Sequence, residues 1–142
     1  ACLREGENIA IWALGDFVSI AEQLHHHLNS LYGINITVVN GRFIKPLDEK
    51  LLMKHALSHE RIITLEDNVL AGGFGSAVVE FLQDSNIQTP VLRLGWPDKF
   101  IPHGTDVDAL RRLYGLDFQG ILNIVLTHLS PEKNSVKLVK RT

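Results

Sequence analysis

Ile9-Ala10-Ile11-Trp12-Ala13-Leu14 runs without a polar residue into Gly15. A stripe of Phe17, Ile20, Ala21, Leu24, Leu28 and Leu31 then closes at Gly33. The first stretch is short and continuously apolar, which suits a strand buried on both faces, as in a parallel sheet. The second has spacings of three and four, which put one apolar stripe on a helix over residues 16–32. Asp16 stands where it can cap that helix, and Gly33 where it can close it. The alternation then repeats. Strands are expected over 34–39, 61–65 and 90–94, ending at Asn40-Gly41, Glu66-Asp67-Asn68 and Gly95. A helix over 48–58 turns Leu51, Leu52, Ala56 and Leu57 inward, and another from Gly73 or Phe74 to Asp84 buries Val78, Phe81 and Leu82. Two more follow, over 105–114 and 117–129, with Asp106 and Asp117 placed to favour the helix dipole. Strand and helix in alternation predict a parallel α/β sheet with right-handed crossovers and helices on both faces.

Composition bounds the class. The 142 residues fit one domain with a core of its own. With 14 Lys and Arg against 16 Asp and Glu, the net charge is -2, which excludes the basic excess of a nucleic-acid binder. No apolar run approaches the roughly 20 residues that span a bilayer, and Arg4, Glu5, Glu7 and Asn8 interrupt any signal-peptide core. One cysteine, Cys2, excludes an internal disulfide framework and fits a reducing compartment. The expectation is a soluble, cytoplasmic domain. The polar stretch 131–142, with Lys133, Lys137, Lys140 and Arg141, reads as a solvated tail.

In a parallel sheet the carboxyl ends of all strands share one edge, and ligands bind there. The loops at that edge offer Asp16, Arg42, Lys45, Asp48, Glu66, Asp67, Asn68, Asp98, Lys99 and His103. They form either a ligand pocket or a docking face, unless helix caps and turns account for them. Gly72-Gly73-Phe74-Gly75-Ser76 has the look of a phosphate cradle, but fits neither GxGxxG nor GxxxxGK[ST]. Glu66 and Asp67 just upstream would repel a phosphate. The glycines read better as permitting a helix to start close against its neighbours.

Seven histidines raise the question of a metal. His25, His26 and His27 are consecutive and point about 100° apart on a helix, so they cannot share an ion. His55 and His59 share a face at i,i+4, yet Ala56 follows His55 where zincins carry Glu, and no third ligand is indicated. The helix dipole alone explains His59. No metal site is expected. No serine lies in a G-x-S-x-G elbow, and His103 has no visible catalytic partner.

Three of these loops carry a resemblance. Gly41-Arg42-Phe43-Ile44-Lys45-Pro46-Leu47-Asp48 resembles an ARF-x-KPLD motif. The stretch from Leu65-Glu66-Asp67-Asn68 through Gly72-Gly73-Phe74-Gly75-Ser76-Ala77-Val78 resembles EEN-x-x-x-GGFGSAV. The stretch from Gly95-Trp96-Pro97-Asp98 to Phe100-Ile101-Pro102-His103-Gly104 resembles G-x-PD-x-FI-x-HG. Together they are similar to the C-terminal domain of the 1-deoxy-D-xylulose-5-phosphate synthase family, within the transketolase C-terminal domains. The likeness covers residues 4–126. Transketolases and the β subunits of 2-oxoacid dehydrogenases share the first two motifs more loosely.

The resemblance implies a three-layer α/β/α domain over residues 1–130, with a five-stranded, mostly parallel sheet. Residues 1–4 would form one antiparallel edge strand. It implies a larger homodimeric enzyme that uses thiamine diphosphate and Mg2+ and condenses pyruvate with glyceraldehyde 3-phosphate. It places cofactor and catalytic groups in two other domains, so no catalytic, cofactor-binding or metal residue carries over to this chain. Gly15-Asp16-Phe17 is not the family's GDG diphosphate signature. The partners implied are those two domains and a second copy, with no nucleic acid and no membrane. The candidate interface or ligand edge is Asp16, Arg42, Lys45, Asp48, Glu66, Asp67, Asn68, Gly72, Gly73, Phe74, Gly75, Trp96, Asp98 and His103. Phe43, Phe74 and Trp96 are expected in an exposed apolar patch. Charge reversal at Arg42 or Glu66 is expected to leave the isolated domain's stability within about ±0.5 kcal/mol. A stand-alone ligand-binding domain and a subunit of a split transketolase or 2-oxoacid dehydrogenase are the alternatives.

Overall fold

A computed structural model describes residues 2–41, 47–69, 73–96 and 106–129, without the side chains of Asp67, Asn68, Val69 and Val107. Five strands and five helices follow in the order β1 (Cys2–Arg4), β2 (Ile9–Ala13), α1 (Phe17–Tyr32), β3 (Thr37–Asn40), α2 (Glu49–Ser58), β4 (Arg61–Val69), α3 (Phe74–Asp84), β5 (Val91–Trp96), α4 (Val107–Leu113) and α5 (Phe118–Thr127). The sheet order is β1-β3-β2-β4-β5. β1 pairs antiparallel with β3, and every other pairing is parallel. The five-stranded, mostly parallel α/β/α fold with one antiparallel edge is thus observed.

β2 sits at the centre, with all five residues buried. Because strand side chains alternate in direction, it feeds two cores. Ile9, Ile11 and Ala13 join Val38, Ile63 and Leu65 under α1 and α5, while Ala10 and Trp12 join Val39 and Ile62 under α2 and α3. β3 lies on one side of β2 and β4 on the other, so strand order switches beside β2. That is the edge position at which α/β sheets leave a crevice.

The helices obey their sequence signals with two exceptions. Gly33 closes α1 at φ 70°, and its N–H donates to Asn29 O at 3.0 Å. Asp48, Asp106 and Asp117 each accept a backbone N–H of their own helix, from Leu51, Asp108 and Gly120. Asp16 is the first exception: it makes no side-chain cap, because it is itself in the right-handed helical region, where an N-cap side chain cannot reach back to the first turn. Leu57 is the second. It is 72% exposed, since the inward face of α2 is Leu52, His55 and Ala56.

Strand boundaries differ too. Residues 34–36 are not in β3, although Ile34 and Ile36 are buried. Their backbone groups bond elsewhere: Ile34 N–H to Leu28 O, and Asn35 O from Glu7 N–H. β5 runs on past Gly95 to Trp96, which pairs with Val69. β4 extends past Leu65 to Val69, with an irregularity against β5 between those two residues. Residues 130–142, including the expected tail, lie outside the described residues.

Candidate functional site

Glu66 belongs to strand β4 rather than to a loop, and it is fully buried. It follows Thr64 by two positions, and its carboxylate meets the start of α3. Oε2 accepts the Gly75 N–H at 2.9 Å, while Oε1 has no hydrogen-bond partner among the described residues. Burial pushes the Glu66 carboxyl up, and the N–H groups of Gly75 and Phe74 and the Arg93 charge partly pull it back. Gly75 lets α3 begin this close. A Cβ there would stand 2.7 Å from Thr64 Oγ1 and 3.0 Å from the Arg93 stem. The close-packing reading of these glycines therefore holds at Gly75. Phe74 stacks on Trp12, with ring centroids 6.4 Å apart.

This geometry decides what the helix start can do. A helix N-terminus attracts an anion, and here the chain's own carboxylate takes that place. The described residues therefore do not fit a diphosphate group at this turn. The expectation that charge reversal at Glu66 would leave the domain's stability unchanged is also corrected, since Glu66 belongs to the domain's own structural network.

The other candidates are dispersed. Asp16 is 78% exposed and receives Arg111 Nη2 at 3.5 Å, while the Arg111 guanidinium lies over the Phe17 ring at 5.1 Å. Both line an open groove of about 660 Å³ with Gly15, Ser19, Gln23 and Asn40, at the carboxyl ends of β2 and β3. Asp48 is a helix cap. Trp96 packs edge-on against Tyr114 at 6.1 Å. Phe74 and Trp96 are half-buried on their own domain, so neither forms the exposed patch expected of them. Gly73 caps α3 through its backbone. Arg42, Phe43, Lys45, Gly72, Asp98 and His103 lie outside the described residues, as do the side chains of Asp67 and Asn68. Of the described candidates, Asp16 lines that groove, while Asp48, Glu66 and Trp96 do not.

A different cluster forms beneath β1. Trp12 Nε1–H donates to His55 Nδ1 at 3.1 Å, which leaves the ring proton of neutral His55 on Nε2. That nitrogen is buried and faces Glu5 Oε1 at 3.6 Å, with no shorter polar contact among the described residues. Glu5 accepts the Cys2 thiol at 3.0 Å and pairs with Lys54 at 3.6 Å. Burial pushes the Cys2 thiol up to about 11, with the Glu5 hydrogen bond and charge adding to the effect. Burial and neighbouring His59 push His55 down. His59 is satisfied separately, with Nδ1 on His55 O at 2.9 Å and Nε2 on the Thr37 hydroxyl at 2.7 Å. The helical spacing of His55 and His59 is visible in sequence, but Cys2 and Glu5 are some fifty residues away and join only through the β1–β3 pairing.

The family profile described as "Transketolase, C-terminal domain" matches residues 1–121. The chain belongs to the transketolase C-terminal domain family. Its relatives include the 1-deoxy-D-xylulose-5-phosphate synthase of Caldanaerobacter subterraneus subsp. tengcongensis, 49% identical over 94% of this chain and 21% of that protein. The synthase of Acidobacterium capsulatum is 45% identical over 90% of this chain and 20% of that protein. This transketolase C-terminal domain chain thus spans about a fifth of the length of the curated relatives it matches. Among solved structures, a split gene transketolase described as an inactive beta4 tetramer superposes with a TM-score of 0.78. It is 30% identical over 96% of this chain and 42% of that one. No helix among the described residues is long and apolar enough to cross a membrane.

Proposed function

We propose that this chain is the C-terminal domain of a cytoplasmic, homodimeric 1-deoxy-D-xylulose-5-phosphate synthase, with a structural and assembly role. The whole enzyme would condense pyruvate with glyceraldehyde 3-phosphate, releasing carbon dioxide, with thiamine diphosphate and Mg2+ held outside this chain. The observation that carries the reading is the 49% identity to a synthase of which the chain spans 21%. The self-capped start of α3 supports it, since Glu66 fills the place a ligand anion would take. The residues proposed to dock are those the sequence assigns to the loops that follow the strands: Asp16, Arg42, Lys45, Asp48, Asp67, Asn68, Asp98 and His103.

The test is reconstitution. The chain alone should form no 1-deoxy-D-xylulose 5-phosphate from the two substrates with cofactor and Mg2+ present. Added to a synthase from which the corresponding segment has been deleted, it should restore turnover. Activity of the chain alone would overturn the assembly role. The likeness to the split gene transketolase supports a second reading, in which the domain belongs to a separate subunit. Native co-purification with a separately encoded partner polypeptide of the family would favour that reading.

A further inference from the structure

We infer that the groove beside the start of α1 binds a free α-amino acid as its zwitterion, with Arg111 holding the carboxylate and Asp16 the ammonium. The groove encloses about 660 Å³, which is ample for a small molecule. It lies where the neighbouring parallel strands β2 and β3 lead into α1 and α2, and those helices cover opposite faces of the sheet. Helices that diverge in this way open a crevice at the carboxyl ends of the strands. Gly15, at φ 62°, turns the chain out of β2 at the groove without placing a side chain in it.

Arg111 is the observation that points to a ligand. Its side chain is only 14% exposed, with the guanidinium over the Phe17 ring. A charge withdrawn this far from water needs close compensation. Among the described residues its ion pair is with Asp16, a single contact of 3.5 Å to a carboxylate that is 78% exposed. Such a pair contributes little. Arg111 Nε is buried with no hydrogen-bond partner among the described residues, so the guanidinium charge is incompletely compensated. The start of α1 adds to the pull on an anion. No acidic residue stands in its first turn and no side chain caps it, which leaves the positive end of the helix dipole open.

The two charges choose the ligand. Asp16 repels a phosphate, and Arg111 repels a simple amine, so a ligand of one sign meets opposition from one of them. An α-amino acid carries a carboxylate and an ammonium on the same carbon, and it answers both. The guanidinium edge that now reaches Asp16 can take the carboxylate in a fork. The Asp16 carboxylate can accept from the ammonium, a charge-assisted bond stronger than one from a hydroxyl. Val18 and Ile20 offer carbon to the ligand side chain, and Gln23 and Asn40 line the same groove with amides. Neutral side chains of modest size therefore fit. The inference stands apart from the assembly reading, because reconstitution reads the docked enzyme and a titration reads the groove of this chain.

The experiment titrates the 15N-labelled 142-residue chain with L-alanine, L-serine, L-valine and L-glutamine into the millimolar range. L-lactate, with a hydroxyl in place of the ammonium, and ethylamine, without a carboxylate, are the controls. The expected result is saturable binding of at least one amino acid, with shifts at the Gly15, Ser19 and Asn40 amides and at the Arg111 Nε–H. Lactate and ethylamine should bind at least about tenfold more weakly. Asp16 is exposed and does not cap α1, so Asp16→Asn should leave the fold intact. It should weaken the amino acid at least about tenfold and strengthen lactate, a reversal that a merely structural role would not produce. Arg111→Lys, which keeps the charge and loses the fork, should weaken both acids. Absence of saturable binding by all four amino acids overturns the site. So does lactate binding as tightly as the best of them, or Asp16→Asn binding that amino acid as tightly as the parent.

Discussion

Among the described residues, Glu66 and His55 are the two fully buried titratable side chains whose protonation the fold shifts, and they act in opposite directions. Glu66 is raised from its ordinary 4.5 by burial. The folded state therefore holds that proton more tightly than the unfolded chain. Its contribution is present below pH 4.5 and is lost as pH rises from 4.5 through the folded value. His55 is lowered from its ordinary 6.5 by burial. Above that value both states are neutral and it contributes nothing. As pH falls through 6.5 the unfolded chain takes a proton that the folded chain refuses, and stability drops. Urea melts between pH 4.5 and 7.5 should therefore show stability rising with pH on the His55 side. Trp12→Phe should flatten that rise, since Nδ1 could then accept a proton. Glu66→Gln should remove the opposing acid-side contribution. Glu66→Ala strips the cap from α3 and should cost about 2 kcal/mol in the same melts.

At the scale of elements, the β1–α2 corner depends on close approach. Gly6 donates to Thr37 Oγ1 at 2.9 Å, and a Cβ on it would stand 2.5 Å from the Asn35 carbonyl oxygen. Backbone cannot yield as a flexible side chain can. Gly6→Ala should therefore loosen β1 and cost about 1–3 kcal/mol, the usual range for overpacking. Hydrogen exchange would show the loss first at β1 and at the end of α2. Leu57 makes the contrasting case. It is 72% exposed, so Leu57→Lys should change the domain's unfolding free energy by no more than about 0.5 kcal/mol. A larger loss would place Leu57 in a packed face after all. Element type was legible from periodicity, but several boundaries were not. Residues 34–36 look like a strand because Ile34 and Ile36 are buried, yet their backbone bonds serve the α1 C-cap and the segment before β2. Glu66 looks like the end of a strand because charge rarely lies inside one. The irregular pairing of β4 with β5 and the free N–H groups of α3 make room for it. Asp16 looks like a cap, and the local backbone turns it away.

For the whole molecule, the decisive quantity is what this chain binds without the rest of its relatives' length. A calorimetric titration with thiamine diphosphate and Mg2+ should give no saturable heat, because the glycine-rich start of α3 presents its Gly75 N–H to Glu66. Saturable binding at micromolar cofactor would overturn the assembly reading. The sequence by itself determined the α/β class, the helix close at Gly33, the helix starts near Asp48, Asp106 and Asp117, and the family likeness. These depend on signals carried within a few residues: apolar period, cap chemistry and short motifs. Tertiary structure decided that Glu66 is an internal cap, that Phe74 and Trp96 pack on their own domain, and that Cys2, Glu5 and His55 meet. Each of these turns on which strand lies beside which. Sheet order is set by long-range packing across both faces of β2, and no local stretch of sequence encodes it.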